Sequence, residues 1–395
     1  MSPLNRRLAN LAFANFTAGT GVLVVAGMLN EVAADLHVSV AVAGQLFTAS
    51  SLAICFGAPI LAGLTTRIDR RVLLAGALAA FGVLNFAAAL APGYVILVVA
   101  RLAMGLCVAI ITPQAAATAG VLAPPAERGR ALSMVFLGFA ISSVVGVPLG
   151  AYLGAVLGWR MTVALVGVLA VVAAGAIWFL MPAGLHVAKM DRKAWRDLAG
   201  SAAILLVIAT TVVQATGQFV LYSYIAPVLK EFLSATPATI SLLLLWLGVA
   251  GVAGNIIAGR WIDILHPSRI IYLALAAMLA AFVMWPSTRG SFALMGIALM
   301  LWGLGCFAIN MSQQARLVAL APQLTSASIA LNSSGIYLGQ ALGAMGGALV
   351  IGEAGFGALS WVGAIFLAAA MGVSMLAGNA RSGAQTKGGA APPEK

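Results

Sequence analysis

Twelve stretches of this chain are each long enough and apolar enough to cross a lipid bilayer, and few folds can accommodate that repetition. A helix crossing the hydrocarbon core needs about 20 mostly apolar residues. Stretches that meet this requirement lie at 8–29, 40–64, 72–90, 94–121, 131–157, 161–181, 198–225, 240–262, 270–285, 292–319, 324–351 and 359–377. Hydrophobic residues make up 62% of the 395 and charged residues 8%, against about 25% charged in a soluble domain. A soluble enzyme, a secreted disulfide scaffold and a disordered chain are thereby excluded. The sequence predicts an all-α membrane protein with twelve transmembrane helices.

Most connections between the stretches are short. The longest, 182–197, carries Lys189, Arg192, Lys193 and Arg196. It divides the chain into an N-terminal six-helix half (1–181), a cytoplasmic linker (182–197) and a C-terminal six-helix half (198–377). The Gly/Ala/Pro-rich tail, 378–395, is expected to be disordered. The first span is too long for a cleaved signal peptide and leads directly into a second, so it is read as retained.

A net charge of +11 would point to nucleic acid in a soluble protein. Here the positions of the basic residues give another cause. With the N-terminus inside, 17 of the 21 Lys and Arg fall in inner segments, three (Arg160, Lys230, Arg289) in outer loops, and Arg101 inside the fourth span. Basic residues concentrate in short cytoplasmic loops, so both termini are expected in the cytoplasm. The expected partners are the bilayer and a small molecule, with no nucleic acid, and the chain is expected to be a monomer. Cys55, Cys107 and Cys306 fall inside spans as small packers. His37, His186 and His266 lie in loops without ligand spacing. No metal and no cofactor are expected.

Charge at membrane depth costs about 2.5–3.5 kcal/mol on insertion scales, so Arg101 invites a functional role. It is either a fixed cation facing substrate or a proton-carrying partner, or an arginine reaching to the outer interface or packing against helix-end carbonyls. None of the ten acidic residues lies mid-span. Glu31 and Asp35, just past the first span, are the nearest candidates for proton coupling, and as loop charges or helix caps they have a simpler explanation. Neutral polar residues inside spans are plentiful: Asn15, Gln114, Gln214, Gln218, Tyr222, Asn310, Gln314, Asn332 and Tyr337. Gln214 and Gln218 share a helix face, as do Asn310 and Gln314. Such amides contact a polar ligand or serve as hydrogen-bond links between helices.

The loop after span 2 reads Gly63-Leu-Thr-Thr-Arg67-Ile-Asp69-Arg70-Arg71, and the loop after span 8 holds Gly259 and Asp263. Span 4 contains Arg101-Leu-Ala-Met-Gly105, span 5 contains Gly146-Val-Pro148-Leu-Gly150 with Gly154, and span 7 contains Tyr222-Ser-Tyr224-Ile-Ala-Pro227. In this order the motifs resemble the major facilitator superfamily, in its twelve-helix drug:proton antiporter type, and are similar to those of bacterial arabinose and sugar efflux permeases. In the family's Gly-x-x-x-Asp-Arg-x-Gly-Arg-Arg loop, Gly63 and Arg71 match. Arg67 stands where the acid is expected and Arg70 where the second glycine is expected, with Asp69 two residues late. The second-half copy keeps its spacing with Gly259 and Asp263.

The resemblance implies two pseudo-symmetric halves and a cavity lined by spans 1, 4, 7 and 10. It also implies a cytoplasmic gate at Gly63, Asp69, Arg70, Arg71, Gly259 and Asp263, and export by alternating access with proton antiport. A uniporter remains as the alternative. A membrane-embedded enzyme or sensor would need a catalytic constellation or an appended domain, and neither is visible.

Overall fold

The computed structural model describes residues 3–186, 196, 198, 200–262, 264–321 and 324–388. Its helices are α1 (Pro3–Leu23), α2 (Leu29–Asp35), α3 (Val40–Leu64), α4 (Arg70–Ala89), α5 (Tyr94–Leu122), α6 (Arg128–Ile141), α7 (Val147–Val156), α8 (Trp159–Leu180), α9 (Ala202–Tyr222), α10 (Ile225–Leu233), α11 (Pro237–Trp261), α12 (Pro267–Met284), α13 (Phe292–Leu320), α14 (Thr325–Ala354) and α15 (Leu359–Gly388). Twelve spans of the expected length and hydropathy are present, and the described residues contain no strand. The last helix continues past Gly378, where the sequence places the start of the tail, and 389–395 lie outside the described residues.

The first span passes at Leu23 into a 3-10 segment, Val24–Gly27, and two others are interrupted more sharply. The fifth is α6 and α7 joined by a π-helical segment, Ser142–Gly146. Pro148 explains the widening: it has no N–H to donate, and its ring would clash with the carbonyl four residues back, which a π turn relieves. The seventh span ends at Tyr222, and the chain turns at Ser223–Tyr224 into the short α10. Pro227 therefore sits in the first turn of a new helix, where a missing N–H costs little, rather than kinking a long one.

Because successive spans alternate in direction, each loop is assigned to one end of the bundle. The end holding Pro3 is here called the near end, and the other the far end. Within each half, glycines bring backbones together. A Cβ on Gly138 would lie closer than 2 Å to the Ala12 carbonyl oxygen, so α6 lies directly against α1. The glycine stripe Gly146, Gly150 and Gly154 packs on Thr20, Val24 and Met28 of the same half. Its counterpart on α14 (Gly335, Gly339, Gly343) packs on α9. Both stripes hold a half together and neither lies between the halves.

Among the described residues, the halves meet at the middle and at the far end. Ser51 of α3 donates to Gln340 Oε1 of α14 at 3.0 Å. The Phe47 and Phe219 rings lie 5.7 Å apart, and Gly44 abuts Tyr224. Ser241 of α11 donates to the Pro148 carbonyl at 2.8 Å, Gly248 abuts Val144, and α2 packs on α10. The buried apolar residues follow the same division. One cluster runs through both halves, whereas the near end of the C-terminal half has its own (Leu198, Ile204, Val207, Ile208, Leu317, Ala327, Ala377). The halves are joined at the far end and separate toward the near end.

Candidate functional site

The space between the halves is closed at its far end by rings. Phe219 meets Phe47 across the interface and stands edge-on to Tyr222, which stands edge-on to Trp302. Below this roof, toward the near end, lie polar side chains of α5, α9, α13 and α14. Asn310 is exposed although it lies ten residues, about 15 Å, from the near end of α13. Leu304 and Ala308 of the same helix face outward into a groove. At about 100° per residue Asn310 lies some 200° from Ala308 and faces inward. An amide exposed at this depth needs water or a polar ligand, because hydrocarbon offers no partner. Gln314, one turn nearer the opening, is half-buried, as are Gln218 and Tyr337, while Gln114 and Tyr222 are buried. Gln214 donates to Gln218 Oε1 at 2.7 Å.

Other residues expected to contact substrate are instead links between helices. Asn15 is fully buried and donates to the Val135 carbonyl, binding α1 to α6. Asn332 accepts from Thr211 at 2.7 Å, and Gln313 donates to Thr211 and to the Val207 carbonyl. That network fastens α9, α13 and α14 together. Thr211 and Ser51 were not singled out by the sequence, because a hydroxyl at an apolar position carries no periodic signal.

Arg101 is buried, with its Nη1 donating to the Gly21 carbonyl at 2.8 Å and its Nε without a partner. Gly21 lies in the last turn of α1, whose carbonyls have no intrahelical partner. The cation therefore caps a helix C-terminus, where positive charge is favoured. Arg101 is not the only arginine inside a span. Arg316, assigned by the sequence to a cytoplasmic segment, is buried in α13 and donates to the Ser374 hydroxyl and carbonyl.

At the far end, Glu31 lies in the first turn of α2, with Oε2 buried and unpartnered. Burial raises its pKa, against the opposing pull of its own backbone N–H and of Lys230 on α10. Asp35 is differently placed. Arg160 pairs with it at 2.9 Å, and the Trp159 indole donates to it at 3.0 Å. Arg160 also donates to the carbonyls of Ala89 and Ala91, so the group clasps three loops of one half.

At the near end, Asp69 caps α4 by accepting from the Arg71 N–H and also accepts from the Gly184 N–H. Burial alone would raise its pKa, but these bonds and the nearby His186 and Arg71 outweigh it and hold the carboxyl below its usual value. The Arg70 N–H donates to the Leu185 carbonyl, and Arg71 lies over the Trp178 ring. These partners belong to the N-terminal half (Arg71, Trp178) or to the start of the linker that follows it (Gly184, Leu185, His186). A Cβ added to Gly63, placed in the gate by the resemblance, would meet nothing within 4 Å, while one on Gly259 would meet Met311. Asp263 lies outside the described residues.

Twelve membrane-spanning helices in two halves, around a polar space sealed at one end, define a multi-pass membrane transporter. The chain belongs to the Major Facilitator Superfamily, whose model matches residues 11–323. It is 29% identical over 354 residues to the inner membrane transport protein YdhP of Escherichia coli (strain K12), covering 90% of each chain. In fold it is similar to a bacterial homolog of the human lysosomal transporter Spinster, solved inward-facing and unoccupied (TM-score 0.73, 16% identity, 95% and 96% of the two chains). It is also similar to a D-xylose–proton symporter (TM-score 0.74, 16% identity, 95% and 96%).

Proposed function

We propose that this chain is a bacterial inner-membrane secondary transporter that exports a small, hydroxyl-bearing or mixed polar–aromatic molecule by alternating access, driven by proton entry. The observation that carries the reading is the group of accessible polar side chains, Asn310 exposed and Gln314, Gln218 and Tyr337 half-buried, beside the ring stack of Phe47, Phe219 and Tyr222. Amides and hydroxyls match a neutral polar ligand, and the adjoining rings match its apolar faces. The excess of basic residues at the near end supports a cytoplasmic position for that end, and with it an inward-facing conformation. YdhP is named as an inner membrane transport protein, which supports the location. Glu31 is the acid best placed to sense a proton, since it is buried against the opposing half.

One observation favours facilitated uniport instead: among the described residues no acid lies between the halves at mid-depth. Proteoliposomes separate the two readings. Purified protein is screened for thermal stabilisation by sugars, nucleosides and amphipathic drugs, and a stabilising compound is loaded under an imposed pH gradient. Antiport moves it uphill and stops when an uncoupler is added. Equilibration that ignores the pH gradient would establish the uniporter.

A further inference from the structure

On the membrane-facing side of the C-terminal half, α11, α12 and α13 enclose a groove of about 240 Å³. It is lined by Gly254, Ile257 and Trp261 of α11, Leu273 and Ala277 of α12, and Gly305 of α13, among others, and its walls are almost wholly apolar. It begins at the near end, where α11 stops and α12 starts. It runs about 10 Å into the bundle, the rise of the seven residues from Gly254 to Trp261 or from Ile270 to Ala277.

Two arginines stand at its mouth. Arg260 is one turn from Ile257 on the same face of α11, and Arg269 is one turn from Leu273 on the same face of α12. Both are exposed. The ion pairs among the described residues are Arg160–Asp35 and Arg289–Glu231, so neither groove arginine has an acidic partner there. Trp261 lies between charge and groove, at the interfacial depth that indole rings favour.

We propose that this groove binds an anionic phospholipid from the near-end leaflet, with an acyl chain along Ile257, Leu273 and Ala277 and the phosphate between Arg260 and Arg269. A hydrocarbon-facing slot takes an acyl chain in preference to water, and two guanidinium groups at headgroup depth, without an acidic partner among the described residues, select a negative headgroup over a zwitterionic one. The site lies outside the bundle, on the face of α13 opposite Asn310, and does not depend on which substrate the central space takes.

The test is native mass spectrometry of the full chain with phosphatidylglycerol and, separately, phosphatidylcholine. Each juxtamembrane arginine contributes a few-fold, so the double variant R260Q/R269Q should hold phosphatidylglycerol roughly 30-fold more weakly. Phosphatidylcholine binding should be unchanged, and R260K/R269K should restore most of the difference. Ala277→Trp, which fills the groove and keeps both charges, should weaken both lipids. Equal phosphatidylglycerol binding by wild type and R260Q/R269Q overturns the proposal, as does a dimer released by Ala277→Trp, which would make a second copy the occupant.

Discussion

Adding one methyl group at Gly44 should open the far end. A Cβ built there falls 2.3 Å from both Cε1 and Oη of Tyr224 and 2.5 Å from its Cζ, where carbon atoms normally rest at about 3.5–4.0 Å. The ring cannot step aside. Tyr224 is fully buried, its hydroxyl donates to the Ala344 carbonyl at 2.7 Å, and its opposite edge lies against Gly347. Gly44 belongs to one half and Tyr224 to the other, so the overlap of more than 1 Å exists only while the far end is closed. Overpacking of this kind costs about 1–3 kcal/mol, which shifts the closed-to-open ratio roughly 5- to 150-fold. Spin labels at Ala34 on α2 and Lys230 on α10, both exposed, report the distance across that end by pulsed electron resonance. Gly44→Ala should move the distribution toward longer separations. Gly175→Ala, at a site with nothing within 4 Å, should not. An unchanged distribution in Gly44→Ala would show that the Gly44–Tyr224 contact does not hold the far end shut.

Arg101→Ala removes a charged hydrogen bond to α1, an interaction of about 1.5–3 kcal/mol. It should lower the unfolding midpoint and abolish proteoliposome transport while the protein still reaches the membrane; wild-type flux would refute the role. Glu31 has a raised pKa in the closed far end. Its contribution to closure is therefore fully present below the ordinary carboxylate value and fades as pH rises through the raised one. Acidification should favour the short Ala34–Lys230 distance, and Glu31→Gln should remove that pH response; a response that persists in Glu31→Gln would assign it elsewhere. Asp35→Asn breaks a half-exposed ion pair, worth about 0–1 kcal/mol. It should shift the melting temperature only slightly and leave proton coupling intact, and lost coupling would reinstate Asp35 as the carrier.

The number of spans is legible in the sequence because a bilayer leaves the backbone no alternative to helices. Pro148 and Pro227 coincide with interruptions, while Pro59 and Pro113 lie inside unbroken α3 and α5. Which of them interrupts a helix, and whether as a π segment or a fresh helix start, depends on neighbours that the sequence does not display. The site was legible only as an inventory. Asn15 and Asn310 look alike in sequence, yet one is sealed between α1 and α6 and the other faces open space. Distance from a helix end does not distinguish them; the packing partner does. Arg316, counted with the inner segments although it falls inside the 292–319 stretch, is held in the bundle by Ser374, which comes from another span. Ser51–Gln340 depends on how the halves are registered, which no single helix encodes.

The aromatic roof also has an electrical consequence. Water entering from the near end carries that side's potential up to Phe47, Phe219 and Tyr222, so the voltage across the bilayer falls mostly over the remaining sealed layer. Moving one elementary charge through the full drop is worth about 2.3 kcal/mol per 100 mV, and here that work is concentrated over a fraction of the bilayer thickness. Arg101, seven residues from the far end of α5, sits within that layer. In the proposed alternating-access cycle the seal would pass to the near end and relocate the field around a stationary arginine. The conformational change would then be voltage-dependent even when the cargo carries no charge.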